Sequence, residues 1–253
     1  MTCLSTCRFG TPVTNSTVQQ INIGITNITA VHRAEVALMY INADGKADDA
    51  RKFVADVKNR YGNGTCALCT IYNATGNTLT FLRFHTYAGT VWQFPYPHVI
   101  QNGQWGAFLH VRGTLAGPSK EGVIYRGQNN GGITRDWMLV WNISRMNYQN
   151  RVYTEIRNIV GSTINWDTVN NNMEQQLTNH VTTAHGCFSS VSVGAGPSPN
   201  FVGIMSLEGV NRDVAALAND VSAIFSSLDS KYEDDEGVLD DSVDDATPAT
   251  GES

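Results

Sequence analysis

Residues 65–87 read TCALCTIYNATGNTLTFLRFHTY, and this stretch indicates the class of the fold. The apolar run Thr65–Tyr72 predicts a strand, and the following segment Asn73–Asn77 is typical of the turn of a β-hairpin. Over Thr78–Tyr87 apolar and polar residues then alternate, which predicts a second strand. If that strand is regular, one of its faces carries Leu79, Phe81, Arg83, His85 and Tyr87.

Further short strands follow, and turns separate them. The pattern predicts a weak helix over 167–180 and strands at 104–113, 122–126, 137–142, 151–159, 187–193 and 201–208. Short strands at regular spacing, with turns rich in Asn and Gly, are typical of a β-sandwich or barrel. We therefore predict a β-sandwich domain over residues 64–208.

Helical periodicity marks the residues before this domain. Ala30–Ile41 and Ala47–Tyr61 each carry apolar residues on one face, which predicts two helices. The spacing over Ser16–Ile28 is also helical, but the Asn, Thr and Gly residues in it weaken the pattern. We expect residues 1–15 to be flexible and residues 16–63 to pack on the sandwich as a helical segment.

Two further segments follow the predicted sandwich. Residues 209–228 have an amphipathic pattern and predict a C-terminal helix, and residues 229–253 predict a disordered acidic tail. The tail carries a charge of −9, whereas the whole chain of 253 residues carries only −6. The rest of the chain is therefore weakly basic, and we expect no nucleic-acid partner.

The composition excludes several classes of protein. Charged residues make up 16 % and hydrophobic residues 42 %, which excludes a coiled coil, a helical bundle and a wholly disordered chain. No apolar run reaches the length of a membrane-spanning helix, so no transmembrane segment is expected. The first ten residues lack the basic and apolar regions of a secretory signal, which predicts a cytoplasmic protein, with the nucleus as the alternative.

Motifs for catalysis or metal binding are missing from the sequence. The pair Cys66 and Cys69 has no second pair to complete a zinc site, and on a strand the two side chains would point to opposite faces. The six histidines lie outside metal-binding spacings, and neither a nucleophile elbow nor a phosphate-binding loop occurs. His110 would face away from Leu109 and Val111 and is interpreted as structural. We predict no catalytic residue, no metal and no cofactor.

Four stretches resemble a known family. Tyr96–His110, Val123–Arg126, Asp136–Trp141 and Asn150–Ile156 are similar to the small jasmonate-induced proteins of plants. The resemblance covers roughly residues 8–209. It implies a role in stress and defence, the lack of a secretion signal, and no established enzyme activity.

A weaker likeness connects the chain to actinoporin-like cytolysins and, in shape, to aegerolysins and fungal fruit-body lectins. It rests on the order of elements and on Asn73–Thr78 and Gly122–Tyr125. It implies a mainly β protein: a β-sandwich of the actinoporin or fruit-body-lectin type, with two N-terminal helices and one C-terminal amphipathic helix. In the cytolysins a phosphocholine-type headgroup binds near a tyrosine that Tyr148 matches, and Asn142 falls where those proteins have a serine. Ser144 replaces the expected proline, so most of the membrane-binding face is missing.

These observations lead to three hypotheses. The first is a non-enzymatic protein of plant stress or defence that binds a glycan or a lipid headgroup at an aromatic loop face formed by Trp92, Tyr96, Trp141, Asn142 and Tyr148. The second is a membrane-active, pore-forming protein that inserts a helix near residues 16–41 and is restrained by its acidic tail. The third is a structural protein that forms a homo-oligomer through residues 210–228.

Overall fold

The computed structural model describes residues 7–114, 117–144, 149–159 and 163–210, and these residues form a β-sandwich flanked by helices. This confirms the predicted fold class. The helices are α1 (Asn15–Ile21), α2 (Ala30–Met39), α3 (Lys46–Tyr61) and α4 (Trp166–Glu174). The strands are β1 (Arg8–Phe9), β2 (Cys66–Ala74), β3 (Leu79–Ala88), β4 (Thr90–Trp92), β5 (Val99–Ile100), β6 (Trp105–Val111), β7 (Ser119–Gln128), β8 (Thr134–Ile143), β9 (Arg151–Asn158), β10 (Asn179–Ala184), β11 (Cys187–Val193) and β12 (Asn200–Leu207).

The described strands form two sheets. In the first sheet the order is β1-β6-β2-β12-β11-β10, and β4 also pairs with β6. In the second sheet the order is β5-β3-β7-β8-β9. Neighbouring strands run antiparallel except β12 and β2, which are parallel, so the last strand of the domain lies between β2 and β11 in the middle of the first sheet.

Helices α1, α2 and α3 cover the outer face of the first sheet. The amphipathic helix α3 buries Ala50, Val54 and Val57, and Gly62 ends it with a left-handed backbone at φ 79°. Helix α2 agrees with its prediction to within two residues. The weaker pattern that begins at Ser16 gives only α1, which ends at Ile21 because the Asn, Gly and Thr residues that follow favour non-helical backbone.

The predicted hairpin is wrong, because β2 and β3 lie in different sheets. All nine residues of β2 are buried, and its two neighbours in the sheet are β6 and β12. The turn therefore passes the chain to the opposite sheet. Asn73 holds this turn: its Nδ2 donates to Ile100 O at 2.7 Å and to Asn77 O at 2.8 Å. At Gly76 φ is +72°, and a Cβ there would overlap the carbonyl group of Ala30.

Strand β3 also departs from the predicted regular alternation. Its register on β7 shifts between Phe81 and Arg83, which is a β-bulge with Leu82 as the extra residue. After the bulge the two faces exchange, so that Phe84, and not Arg83, points the same way as Phe81. The prediction that Phe81, Arg83 and His85 share one face is therefore wrong.

The sandwich has three apolar layers of contact. The layer between the sheets contains many of the largest buried side chains, among them Phe108, Trp137, Trp141 and Phe201. The second layer joins the first sheet to α1–α3, and the third joins the second sheet to α4. Cys66 lies in the helix layer and Cys69 between the sheets, which confirms that the two cysteines point to opposite faces.

Three other segments differ from the sequence prediction or lie outside the described residues. Residues 7–14 belong to the predicted flexible N-terminus, yet β1 pairs with β6 through Arg8 and Phe9. His180 was expected at the end of a helix, but α4 ends at Glu174 and His180 lies in the edge strand β10. The predicted C-terminal helix and acidic tail lie outside the described residues, except at 209 and 210.

Candidate functional site

Four of the five residues predicted to bind a ligand lie among the described residues, and the structure brings two of these four together. Tyr96 and Trp141 both lie between the sheets, and each ring contacts Phe108, at centroid distances of 4.9 and 5.9 Å. Trp141 has no exposed surface and Tyr96 has 8 %. A ring buried on both faces belongs to the core, so Trp141 offers no stacking surface to a ligand in this conformation.

The other predicted residues lie apart from that pair. Trp92 is half-buried on the helix side of the first sheet, with its ring edge-on to Tyr61 at 5.6 Å. Asn142 lies on the outer side of the second sheet and donates to Glu174 at 3.1 Å. Tyr148 lies outside the described residues. The described members of the set therefore do not form one loop face.

Trp92 and Tyr96 belong to two groups of aromatic side chains, one packed on α3 and the other on β3. We call Phe81, Phe84, Trp92, Phe94 and Tyr96 the aromatic edge. Tyr96 stacks on Phe81 at 5.0 Å and contacts Phe84 at 5.4 Å. Phe94 packs on Phe53 of α3 at 5.2 Å, and the exposed Arg60 guanidinium lies over its ring at 5.8 Å.

The β-bulge exposes apolar side chains on this edge. Phe84 is 51 % exposed and Leu82 is 37 % exposed. Beyond Phe81, whose N–H group donates to His98 O at 2.8 Å, β3 pairs on one side only among the described residues. An edge strand of a soluble domain usually carries charge or is covered, so exposed Phe and Leu at this place indicate a contact surface.

A buried polar network lies directly beneath the aromatic edge. Glu121 is fully buried and accepts hydrogen bonds from the hydroxyl groups of Tyr96 and Thr86, the latter at 2.7 Å. Its third partner is His110, whose Nε2 lies 2.9 Å from Oε2. The other ring nitrogen of His110 lies 2.7 Å from Ser119 Oγ. The network therefore joins strands of both sheets to the loop that carries Tyr96.

Burial governs the ionisation of this network. Loss of hydration raises the pKa of Glu121 to about 7, although the hydrogen bond from Thr86 lowers this pKa. The same cause lowers the pKa of His110 to about 3. Near neutral pH His110 is thus a neutral ring, and Glu121 is close to the midpoint of its titration.

Ser119, His110 and Glu121 have the composition of a hydrolase triad, and sequence reasoning missed this group. The side chains of all three are buried, and Ser119 Oγ donates to the carbonyl of His110 at 3.0 Å. A nucleophile must reach a substrate carbonyl, which this hydroxyl cannot do from within the core. The group therefore serves as a structural network in this conformation, in agreement with the interpretation of His110 as structural.

A cavity opens at the end of the sandwich where α3 passes into β2 and where β11 passes into β12. Its volume is about 390 Å³, and we call it the loop-end cavity. Its lining residues are Lys58, Asn63, Gly64, Thr65, Arg112, Pro197 and Ser198. It adjoins the aromatic edge through Tyr61, because a Cβ on Gly64 would lie 2.8 Å from Tyr61 Oη.

A second cavity of about 350 Å³ lies near the turn at Gly76, close to the opposite end of the sandwich. Its one charged lining residue, Arg33, donates to Gly76 O at 2.6 Å and to the side-chain oxygens of Asn15 and Asn77. These bonds tie α1 and α2 to the turn, so the arginine has a structural role there. Among the described residues no cluster of three potential metal ligands occurs, and no helix is long and apolar enough to cross a membrane.

The fold and the site define a class: a β-sandwich protein with an aromatic edge and a basic cavity. The chain belongs to the Nakanori-like protein family, whose model matches residues 9–208. It is 38 % identical over 204 residues to the 23 kDa jasmonate-induced protein of Hordeum vulgare. The matched region covers 78 % of this chain and 95 % of that protein. This confirms the resemblance to jasmonate-induced proteins.

Two further relatives extend the comparison. A jasmonate-induced protein homolog of Atriplex canescens is 32 % identical over 108 residues, which is 41 % of this chain and 57 % of that protein. The crystal structure of the lipid binding protein Nakanori superposes with a TM-score of 0.68 at 22 % identity, over 79 % of this chain and 99 % of that one. This structural likeness shows the shared fold. None of the three relatives is named as an enzyme.

Proposed function

We propose that this protein is a non-enzymatic, stress-related protein that binds the lipid headgroups of a membrane surface through its aromatic edge. The observation that carries the proposal is the exposure of Phe84 and Leu82 at the β-bulge. The names of its relatives support a role in the jasmonate response and a lipid ligand. We also propose a cytoplasmic location, which agrees with the free thiols of Cys66, Cys69 and Cys187.

The chemistry of the edge suits the boundary between headgroups and acyl chains. Phe84 and Leu82 can enter the apolar boundary, while Trp92 has an apolar ring with a polar N–H group, a combination that favours this depth. Arg60 beside Phe94 adds a positive charge for anionic headgroups. Full burial of a Phe or Leu side chain is worth about 1.5–3 kcal/mol. Burying the exposed parts of Phe84 and Leu82 in the membrane would therefore contribute about 2 kcal/mol of binding free energy in total.

The test is co-sedimentation with lipid vesicles. Replacing both Leu82 and Phe84 by Ser should weaken vesicle binding about thirtyfold, the equivalent of about 2 kcal/mol of apolar burial. The matched control is Ile133→Ser, because Ile133 is 55 % exposed in the turn between β7 and β8, at the other end of the sandwich. Equal binding by the double variant and the control would contradict the assignment of the aromatic edge.

Glycan binding and pore formation remain alternatives with distinct results. A glycan array that captures the protein, with vesicle binding absent, would replace the lipid proposal by a lectin-like one. Leakage of vesicle contents would favour the pore-forming alternative, which requires α2 to leave the sheet although Ala34, Val36 and Leu38 are buried there. The proposed oligomer contact at 210–228 is tested by the mass in solution of wild type and Leu217→Asp.

A further inference from the structure

The loop-end cavity is lined by two cationic side chains and by no acidic residue. Lys58 comes from the last turn of α3, and Arg112 follows β6. The C-terminal dipole of α3 contributes about half a negative charge near the cavity, whereas the two side chains carry two positive charges. The cavity is therefore electropositive and suits an anion.

The carbonyl groups in the wall of this cavity already accept hydrogen bonds from side chains of the same wall. Lys58 Nζ donates to Gly62 O at 2.9 Å, Arg112 Nη2 lies 3.4 Å from Asn63 O, and Ser198 Oγ donates to Gly64 O at 3.1 Å. The three successive carbonyls of the turn thus already have donors. An ammonium group has three N–H donors and a guanidinium five, so the same side chains can serve these carbonyls and a ligand oxygen together.

Thr65 supplies an independent observation that points to a ligand. It lines the cavity with 1 % of its surface exposed, and its hydroxyl has no hydrogen-bond partner among the described residues. A buried hydroxyl without a partner destabilises a fold, so such groups call for an explanation. A ligand oxygen in the cavity would supply the missing acceptor.

We propose that the loop-end cavity binds a phosphate group, and that in the cell this group belongs to a phospholipid headgroup. The second part rests on the proposed function. Lys58 and Arg112 contact the phosphate oxygens, and the Thr65 hydroxyl donates to one of them. The cavity volume of about 390 Å³ is in the range of small-molecule sites. Trp92 of the aromatic edge contacts Tyr61 next to the cavity, and the apolar part of a lipid would continue there.

The same basic contacts also cap α3, so the experiment must separate a structural role from binding. Calorimetric titrations with inorganic phosphate and with glycerophosphocholine measure the site without a membrane. Co-sedimentation uses vesicles of phosphatidylcholine alone and of phosphatidylcholine with phosphatidic acid in equal amounts. The variants are Lys58→Gln, Arg112→Gln and Thr65→Val, and Lys52→Gln is the control, because Lys52 is exposed on the same helix and outside the cavity.

Each of the two charge variants should weaken binding of the phosphate compounds and of the anionic vesicles about tenfold, and Lys52→Gln should leave both unchanged. Thr65→Val should weaken phosphate binding about fivefold and leave the denaturation midpoint unchanged. If the hydroxyl were purely structural, its loss would lower the midpoint and leave phosphate binding unchanged. This variant keeps the test valid if loss of a helix cap destabilises the other two.

The outcomes separate the two proposals. Phosphate binding with no vesicle binding would support the site and overturn the membrane function. Vesicle binding that depends on Leu82 and Phe84 but not on Lys58, Arg112 or Thr65 would overturn the phosphate site and keep the membrane function. Failure to bind any of the phosphate compounds or vesicles would overturn both.

Discussion

Replacing Glu121 by Gln tests how the buried network is held together. Both side chains of the pair Glu121 and His110 are fully buried, and Oε2 and Nε2 are 2.9 Å apart. Burial moves the pKa of Glu121 from 4.5 to about 7 and that of His110 from 6.5 to about 3. The proton that His110 holds in the unfolded chain is therefore held by Glu121 in the folded protein.

The sign of the pH dependence follows from counting protons on this pair. Between pH 4.5 and 6.5 the unfolded pair binds one proton, on the histidine, and the folded pair also binds one, on the carboxyl group. The pair then adds no slope to the stability of the wild type. Below pH 4.5 the unfolded pair binds a second proton and stability falls.

In Glu121→Gln only the histidine titrates. Its folded pKa is depressed, so its contribution is complete above pH 6.5 and is lost as the pH falls towards 3. One pKa unit corresponds to about 1.4 kcal/mol. Over the two pH units from 6.5 to 4.5, the variant should therefore lose about 3 kcal/mol relative to the wild type, beyond any constant difference.

Urea denaturation at several pH values in this window measures the difference. Trp141 serves as a fluorescent reporter, because its ring lies 5.4 Å from His110. The control is Glu155→Gln, which removes a carboxylate paired with Arg157 on the outer side of the sandwich. If the stabilities of wild type and Glu121→Gln stay parallel from pH 6.5 to 4.5, the assigned proton positions are wrong.

Two predictions concern stability alone, and chemical denaturation checks both. Gly76→Ala should cost at least about 3 kcal/mol and Gly132→Ala only about 1 kcal/mol, because both glycines have positive φ but only at Gly76 would the new methyl group strike the carbonyl of Ala30. Similar costs at the two positions would refute the close approach. Thr154→Val should lower the free energy of unfolding by about 1–3 kcal/mol. The hydroxyl groups of Thr154 and Ser189 are 2.6 Å apart in the wild type, and the variant leaves the buried Ser189 hydroxyl without this partner. Adding Ser189→Ala should recover part of the loss, and a purely additive double variant would contradict the proposed coupling.

Elements with a strong local signal could be predicted from the sequence. Helix α3 differs from its prediction by one residue, because its apolar stripe, its acidic first turn and Gly62 all favour the same helix. Strand β11 has the predicted bounds. Strand β10 was missed, since it is a half-exposed edge strand whose residues Asn179–Ala184 include only one large apolar side chain.

Features that depend on distant contacts could not be predicted. The bulge at Leu82 adds one residue to β3 relative to β7, and no period in β3 itself shows this. The pairing of Glu121 with His110 requires the register of two sheets. Its only local signal is an acid directly before the predicted strand at 122–126. The loop-end cavity combines Lys58, Arg112 and Ser198, which are far apart in the sequence and meet only when α3 packs on the first sheet.

The central position of β12 has a consequence for how the protein is made. Asn200 pairs with Leu68, so the middle of the first sheet stays open until almost the whole domain has left the ribosome. Until then the growing chain exposes the unsatisfied edges of β2 and β11, two buried strands that neighbouring nascent chains could join. Chaperone binding during translation should therefore end when residues 200–207 emerge from the ribosome.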